Sequence, residues 1–116
     1  MNLIPREQQL EAMVHGSFMS LLSKYIADPT LVDIRKYITV SREELHHYIG
    51  VTPLALTEVL NRAQCDAISH DRFCIEQQDG KYFLYWLDHG QKRFGEEYSS
   101  LESVLVEYLF REHGLN

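Results

Sequence analysis

The chain has 116 residues, 45% hydrophobic and 24% charged, enough for one hydrophobic core and too few for two independent ones. Its 17 acidic and 11 basic residues leave a net charge of −6, which disfavours approach to phosphate backbones and favours approach to basic proteins. No window nears the roughly 20 apolar residues of a membrane span, and no basic segment leads into an unbroken apolar run, so a single cytoplasmic domain over residues 1–116 is expected, with no membrane contact.

Pro5 suits the first turn of a helix, and Glu7 and Glu11 suit its positive end. Leu10, Met13, Val14, Phe18, Leu21, Leu22 and Tyr25 recur at three- and four-residue steps, predicting one helix from about Pro5 to Ala27 that tolerates Gly16 and stops before Asp28-Pro29. Thr30 could cap a short second helix burying Leu31, Ile34 and Ile38, while Lys36 to Val40, KYITV, could equally be a short strand.

Ser41 and Glu44 have capping-box spacing for a helix from Arg42 to Ile49, with Gly50 as its stop. Thr52 and Pro53 open the next, with Leu54, Leu56, Val59 and Leu60 as its apolar face to about Gln64. These elements make residues 1–66 a helical part.

Residues 71–116 read differently. Arg72 to Gln78 alternates as a strand, Asp79-Gly80 is a two-residue hairpin turn, and Lys81 to Asp88, KYFLYWLD, is the densest apolar run of the chain. Both faces of that strand are apolar, so one should carry a helix and the other further helices or a partner protein. His89-Gly90 makes a second turn into a third strand, Gln91 to Tyr98, where Gly95 signals a bulge or an edge. Ser99 and Glu102 then have capping-box spacing for a terminal helix burying Leu101, Val104, Leu105, Tyr108 and Leu109. The fold class is α+β: a helical N-terminal half, a three-stranded antiparallel sheet and a C-terminal helix.

No spacing of nucleophiles, acids or bases marks catalysis, and no phosphate loop or metal-ligand pattern is present, so no enzyme activity, cofactor or metal is expected. The adjacent His46 and His47 point to different faces of a helix, and turn chemistry explains His70-Asp71 and Asp88-His89. Cys65 and Cys74 lack metal spacing and are expected to be free thiols used in packing.

Two resemblances follow. REELHHYIGVTPLALTEVLNR resembles a helix-turn-helix, with Leu45, Ile49, Gly50, Val51, Leu56 and Val59 where that motif wants apolar residues and a turn glycine, and His46 departing from its small residue. With KYITV as the extra strand and Gln77 to Lys81 as the wing tip it looks like a winged helix. That family reads DNA, yet the second helix offers Thr57, Glu58 and Asn61 with Arg62 as its single cation. DGKYFLYWLDHGQK, the strand carrying Glu96, Glu97 and Tyr98, and SSLESVLVEYL are similar to the small immunity proteins of bacterial polymorphic toxin and contact-dependent growth inhibition systems.

The second resemblance implies a cytoplasmic inhibitor that binds one cognate basic toxin, often a nuclease, and blocks its active site or substrate access. The toxin-binding residues expected under it are Glu76, Asp79, Asp88, Glu96 and Glu97 as a steering set of carboxylates, with Tyr82, Phe94 and Tyr98 as aromatic anchors. The alternative is a winged-helix transcriptional regulator. A scaffold module without a toxin partner is the third reading.

Overall fold

Both hairpin turns form. Asp79 and Gly80 have φ of 53° and 75°, and His89 and Gly90 have 48° and 83°, the left-handed pairs that tight hairpins require. They join β1 (Arg72–Gln78), β2 (Lys81–Asp88) and β3 (Gln91–Tyr98) into an antiparallel sheet in the order β1-β2-β3, so KYFLYWLD is the central strand. The computed structural model describes residues 4–16, 18–31, 33–64 and 71–115; the side chains of Leu31 and Phe94 lie outside that description.

The helices are α1 (Arg6–His15), α2 (Phe18–Ser23), α3 (Arg42–Val51), α4 (Pro53–Ala63) and α5 (Leu101–Glu112). The protein is therefore α+β, as the sequence implies. The long first helix is broken instead of continuous: Gly16 turns left-handed at φ 72° and its N–H caps Ala12 O. The apolar spacing survives because α2 turns Phe18, Leu21 and Leu22 back into the same core.

KYITV is not a strand. Thr39 N and Val40 N donate to Oε1 of Gln9, at 2.7 and 3.1 Å, so a buried side chain satisfies the backbone where a neighbouring strand would. Gln9 Nε2 in turn donates to Ile4 O at 2.8 Å. The residues before KYITV form two single turns, Pro29–Leu31 and Ile34–Lys36, in place of a second helix.

The capping box of Ser41 and Glu44 is formed, and Glu44 also accepts from Arg6 Nε at 2.5 Å, which ties α3 to α1. Gly50 does not stop α3, which runs on to Val51; Thr52 leaves helical geometry because Pro53 follows it. Along α4 the buried face is Ala55, Val59 and Ala63, and Leu54 is 84% exposed. Two alanines on that face let α4 approach α1 and α5 closely. Ser100, not Ser99, caps α5 by accepting from Ser103 N.

α5 lies between the sheet and the α3–α4 pair, which is why Val106 and Phe110 are buried in addition to Val104, Leu105, Tyr108 and Leu109. Leu84 and Ile75 join this main core, with Phe73 and Tyr82 packed against it. Alternation puts Cys74, Tyr85 and Leu87 on the opposite face of the sheet, where they form a small separate cluster. Lys92 Nζ sits 5.2 Å from the centre of the Tyr85 ring there. Cys74 is disulfide-bonded and so is not a free thiol; Cys65 lies outside the described residues. No described helix is long and apolar enough to cross a membrane.

Candidate functional site

The eight residues expected to meet a toxin do not share one surface. β3 carries a bulge opposite Tyr85, where Phe94 and Gly95 stand against one residue of β2, so the pairing resumes as Glu96 with Leu84 and Tyr98 with Tyr82. Glu96 and Tyr98 therefore stand on the helix-covered face with Tyr82, which is partly buried against the core. Glu97, opposite Phe83, and Glu76, also opposite Phe83, stand on the other face. Asp79 occupies the β1–β2 turn and Asp88 the far end of β2. The side chain of Phe94 lies outside the described residues.

Four of the five carboxylates in that set are already paired within the chain. Glu76 holds Lys92, Asp88 Oδ2 meets Arg93 Nε at 2.8 Å, Glu96 Oε1 meets Arg111 at 2.5 Å, and Glu97 Oε1 meets Lys81 at 3.5 Å. Tyr98 also donates to Glu96, at 2.9 Å. Arg111, foremost, and Tyr98 hold the Glu96 carboxyl below the usual range. Burial, reinforced by Glu96, pushes Tyr98 up to about 12. Only Asp79 of the five has no ion pair among the described residues. A partner's cations would have to displace the chain's own at the other four, which weakens the sheet as a steering surface.

The helix expected to serve as a recognition helix under the winged-helix resemblance is α4, and its cation is turned inward. Arg62 Nη1 donates to Val14 O at 2.5 Å, and its other terminal nitrogen reaches Glu112 Oε1 at 3.1 Å. Thr57 Oγ1 donates to Pro53 O, and Glu58 lies 2.8 Å from His15 Nδ1. An exposed Thr57, Glu58 and Asn61 are what α4 offers a groove, and none is a cation.

A cleft of about 540 Å³ that sequence reasoning did not identify opens between α3 and α5 beside the end of β3, lined by Arg42, Glu43, His46, His47, Tyr98, Ser103, Val106 and Glu107. Arg42 spans it, pairing with Glu107 at 2.5 Å and stacking 4.5 Å above the Phe110 ring. The one signal for it in the sequence is His46, which replaces the small residue a helix-turn-helix uses for close helix contact. A second cavity, of about 530 Å³, contains Arg62, Arg72 and Arg111 with Trp86. Each of those guanidinium groups is engaged by the chain itself: Arg72 donates to Arg62 O, and Arg111 pairs with Glu96.

Asp71, Asp88 and His89 bring one ligand atom each within 4.8 Å of one another at the β2–β3 turn, a grouping not expected from the sequence. Arg93 holds an Asp88 oxygen in that group, and its charge opposes a cation there. His70, the other half of the His70-Asp71 pair, lies outside the described residues.

No family model matches the chain, and neither the curated proteins nor the solved structures contain a match to it.

Proposed function

We propose that this chain is an immunity protein: a cytoplasmic inhibitor that binds a cognate basic toxin, a nuclease being the class whose polyanionic substrate demands that charge, and blocks its active site or substrate access. The observation that carries the reading is how charge is distributed. Arg6, Arg35, Arg42, Arg62, Lys81, Lys92, Arg93 and Arg111 are each consumed in an ion pair within the chain. Lys24, Lys36 and Arg72 have none among the described residues, and neither do Glu7, Glu11, Asp28, Glu43, Asp71, Asp79 and Glu102, so carboxylates outnumber cations among the unpaired groups and the net charge of −6 is carried by them. Such a surface attracts a basic protein at long range and repels nucleic acid and anionic membrane.

The regulator reading loses support from the same geometry, because Arg62 is spent on Val14 O and Glu112. No catalytic role, cofactor or metal enters the proposal. A disulfide at Cys74 is uncommon in a reducing cytoplasm, and burial of its sulfur with Tyr85 and Leu87 limits the access that thiol exchange needs. The test is co-expression with the product of the gene immediately upstream. Growth arrest by that product, relieved by this chain, supports the inhibitor reading, and arrest that persists in the presence of the folded chain overturns it.

A further inference from the structure

The buried stripe of α3, Leu45 and Ile49, is flanked on one side by the α5 cleft and on the other by Glu44, Tyr48 and Val51 at helical spacing. That second side faces α1 and α4. Arg6 to Glu44 ties α1 to α3, and His15 to Glu58 ties α1 to α4, so the Glu7–Glu11 stretch of α1 runs past Tyr48 between the two links. The surroundings of Tyr48 agree: burial, then Glu11, Glu58 and Glu7, raise the phenol above its ordinary value. Where α3 turns into α4 the corner exposes Val51 at 63% and Leu54 at 84%, two of the three large hydrophobic side chains exposed among the described residues. Leu54 and Glu58 are one turn apart on α4 and share a face.

Single exposed apolar residues are ordinary. Here two stand beside a half-buried tyrosine and three carboxylates: Glu7 and Glu11 have no ion pair among the described residues, and Glu58 meets the imidazole of His15, not a lysine or arginine. Of the sheet carboxylates, Glu76, Asp88, Glu96 and Glu97 are neutralised in place, and Asp79 stands apart on the β1–β2 turn. A nucleic acid or an anionic bilayer would be repelled, and a second copy of the chain would set carboxylate against carboxylate. The chemistry that fits is cationic and amphipathic.

We propose that the α1–α3–α4 corner is the docking surface for a cationic amphipathic segment of a protein partner, with Tyr48, Val51 and Leu54 taking its apolar side and Glu7, Glu11 and Glu58 its charges. The proposal rests on the reading that the chain binds a basic protein, and it moves the contact from the sheet to the helices. A central aromatic and aliphatic anchor rimmed by charge is the arrangement that concentrates binding energy in a few residues.

The probe is a short fluorescein-labelled synthetic peptide with Lys and Leu at helical spacing, read by fluorescence polarisation and by amide shifts of the isotope-labelled chain. Wild type should bind with shifts clustered on α1, α3 and α4, and raised salt should weaken it. Leu54→Ser, at a position too exposed to disturb folding, should weaken binding about tenfold or more, as should the combined Glu7→Gln, Glu11→Gln and Glu58→Gln variant. The Glu76→Gln, Glu97→Gln variant should bind as wild type. Loss in that sheet variant, no loss in Leu54→Ser, or a wild-type dimer that Leu54→Ser disperses in sedimentation would each overturn the proposal. The same variants in the co-expression assay separate the two readings. If wild type protects and both helical variants protect equally well, the corner is refuted and the inhibitor reading stands. If wild type fails to protect while the peptide still binds at the corner, the inhibitor reading fails and the surface stands.

Discussion

Replacing Arg62 with alanine should unfold the protein more readily without touching any external ligand. Its guanidinium is the clasp that joins three helices: it donates from α4 to Val14 O in the last turn of α1 and pairs with Glu112 near the end of α5. Met13 O would keep His113 Nε2 at 2.9 Å, whereas Val14 O would lose its short side-chain donor. Leaving that partly buried carbonyl unsatisfied costs about 1–2 kcal/mol. The pair with Glu112 adds at most about 1 kcal/mol, because both side chains remain more than a quarter exposed, at 28% and 27%. The expected loss is therefore about 1–3 kcal/mol. With a urea slope of about 2 kcal/mol/M, the unfolding midpoint should fall by about 0.5–1.5 M. An Arg62→Ala midpoint equal to wild type would refute the clasp and return Arg62 to the surface as a phosphate contact.

Two further expectations concern pH and the core. His113 is held by burial below its ordinary value of 6.5, so the unfolded chain takes up its proton first; stability from this group is complete above about pH 6.5 and is lost as pH falls through the lowered value. A His113→Gln variant should flatten the stability slope between about pH 6.5 and pH 5, a range above the carboxylate titrations. In the core, Leu84→Ala should cost about 3–5 kcal/mol, since that side chain is fully buried in the middle of the central strand. Trp86→Ala should cost less, about 2–3 kcal/mol, because the ring lines a cavity and meets Phe73 edge-on at 4.8 Å. Chemical denaturation that reverses this order would displace the centre of the core.

What could be read in advance was local. Asp79-Gly80 and His89-Gly90 demand left-handed backbone wherever they occur in a hairpin, and Ser41 with Glu44 closes its box over a single helical turn. The bulge beside Gly95 was legible for the same reason. The errors came from distant partners. Nothing in KYITV announces that Gln9, thirty residues earlier, will take its N–H groups. The periodicity that predicted one long first helix is the same periodicity that α1 and α2 satisfy on either side of Gly16. Leu54 looked buried because it is leucine, but close packing of α4 selected Ala55 and Ala63 instead.

The candidate site was harder still. Glu76, Asp88, Glu96 and Glu97 are visible as charges in the sequence, while their pairing to Lys92, Arg93, Arg111 and Lys81 depends on strand register and on α5. Tyr48 lies in a helix that reads as half of a helix-turn-helix, and its acidic neighbours Glu7 and Glu11 are brought to it only by α1.

Stopped-flow association between this chain and the purified product of the upstream gene, followed from about 50 mM to about 500 mM salt, tests most directly whether an outward-facing carboxylate surface recruits a basic toxin. The association rate should fall about tenfold or more across that range, with a smaller change in the dissociation rate. A rate that stays flat with salt, or no complex at any salt, would contradict it.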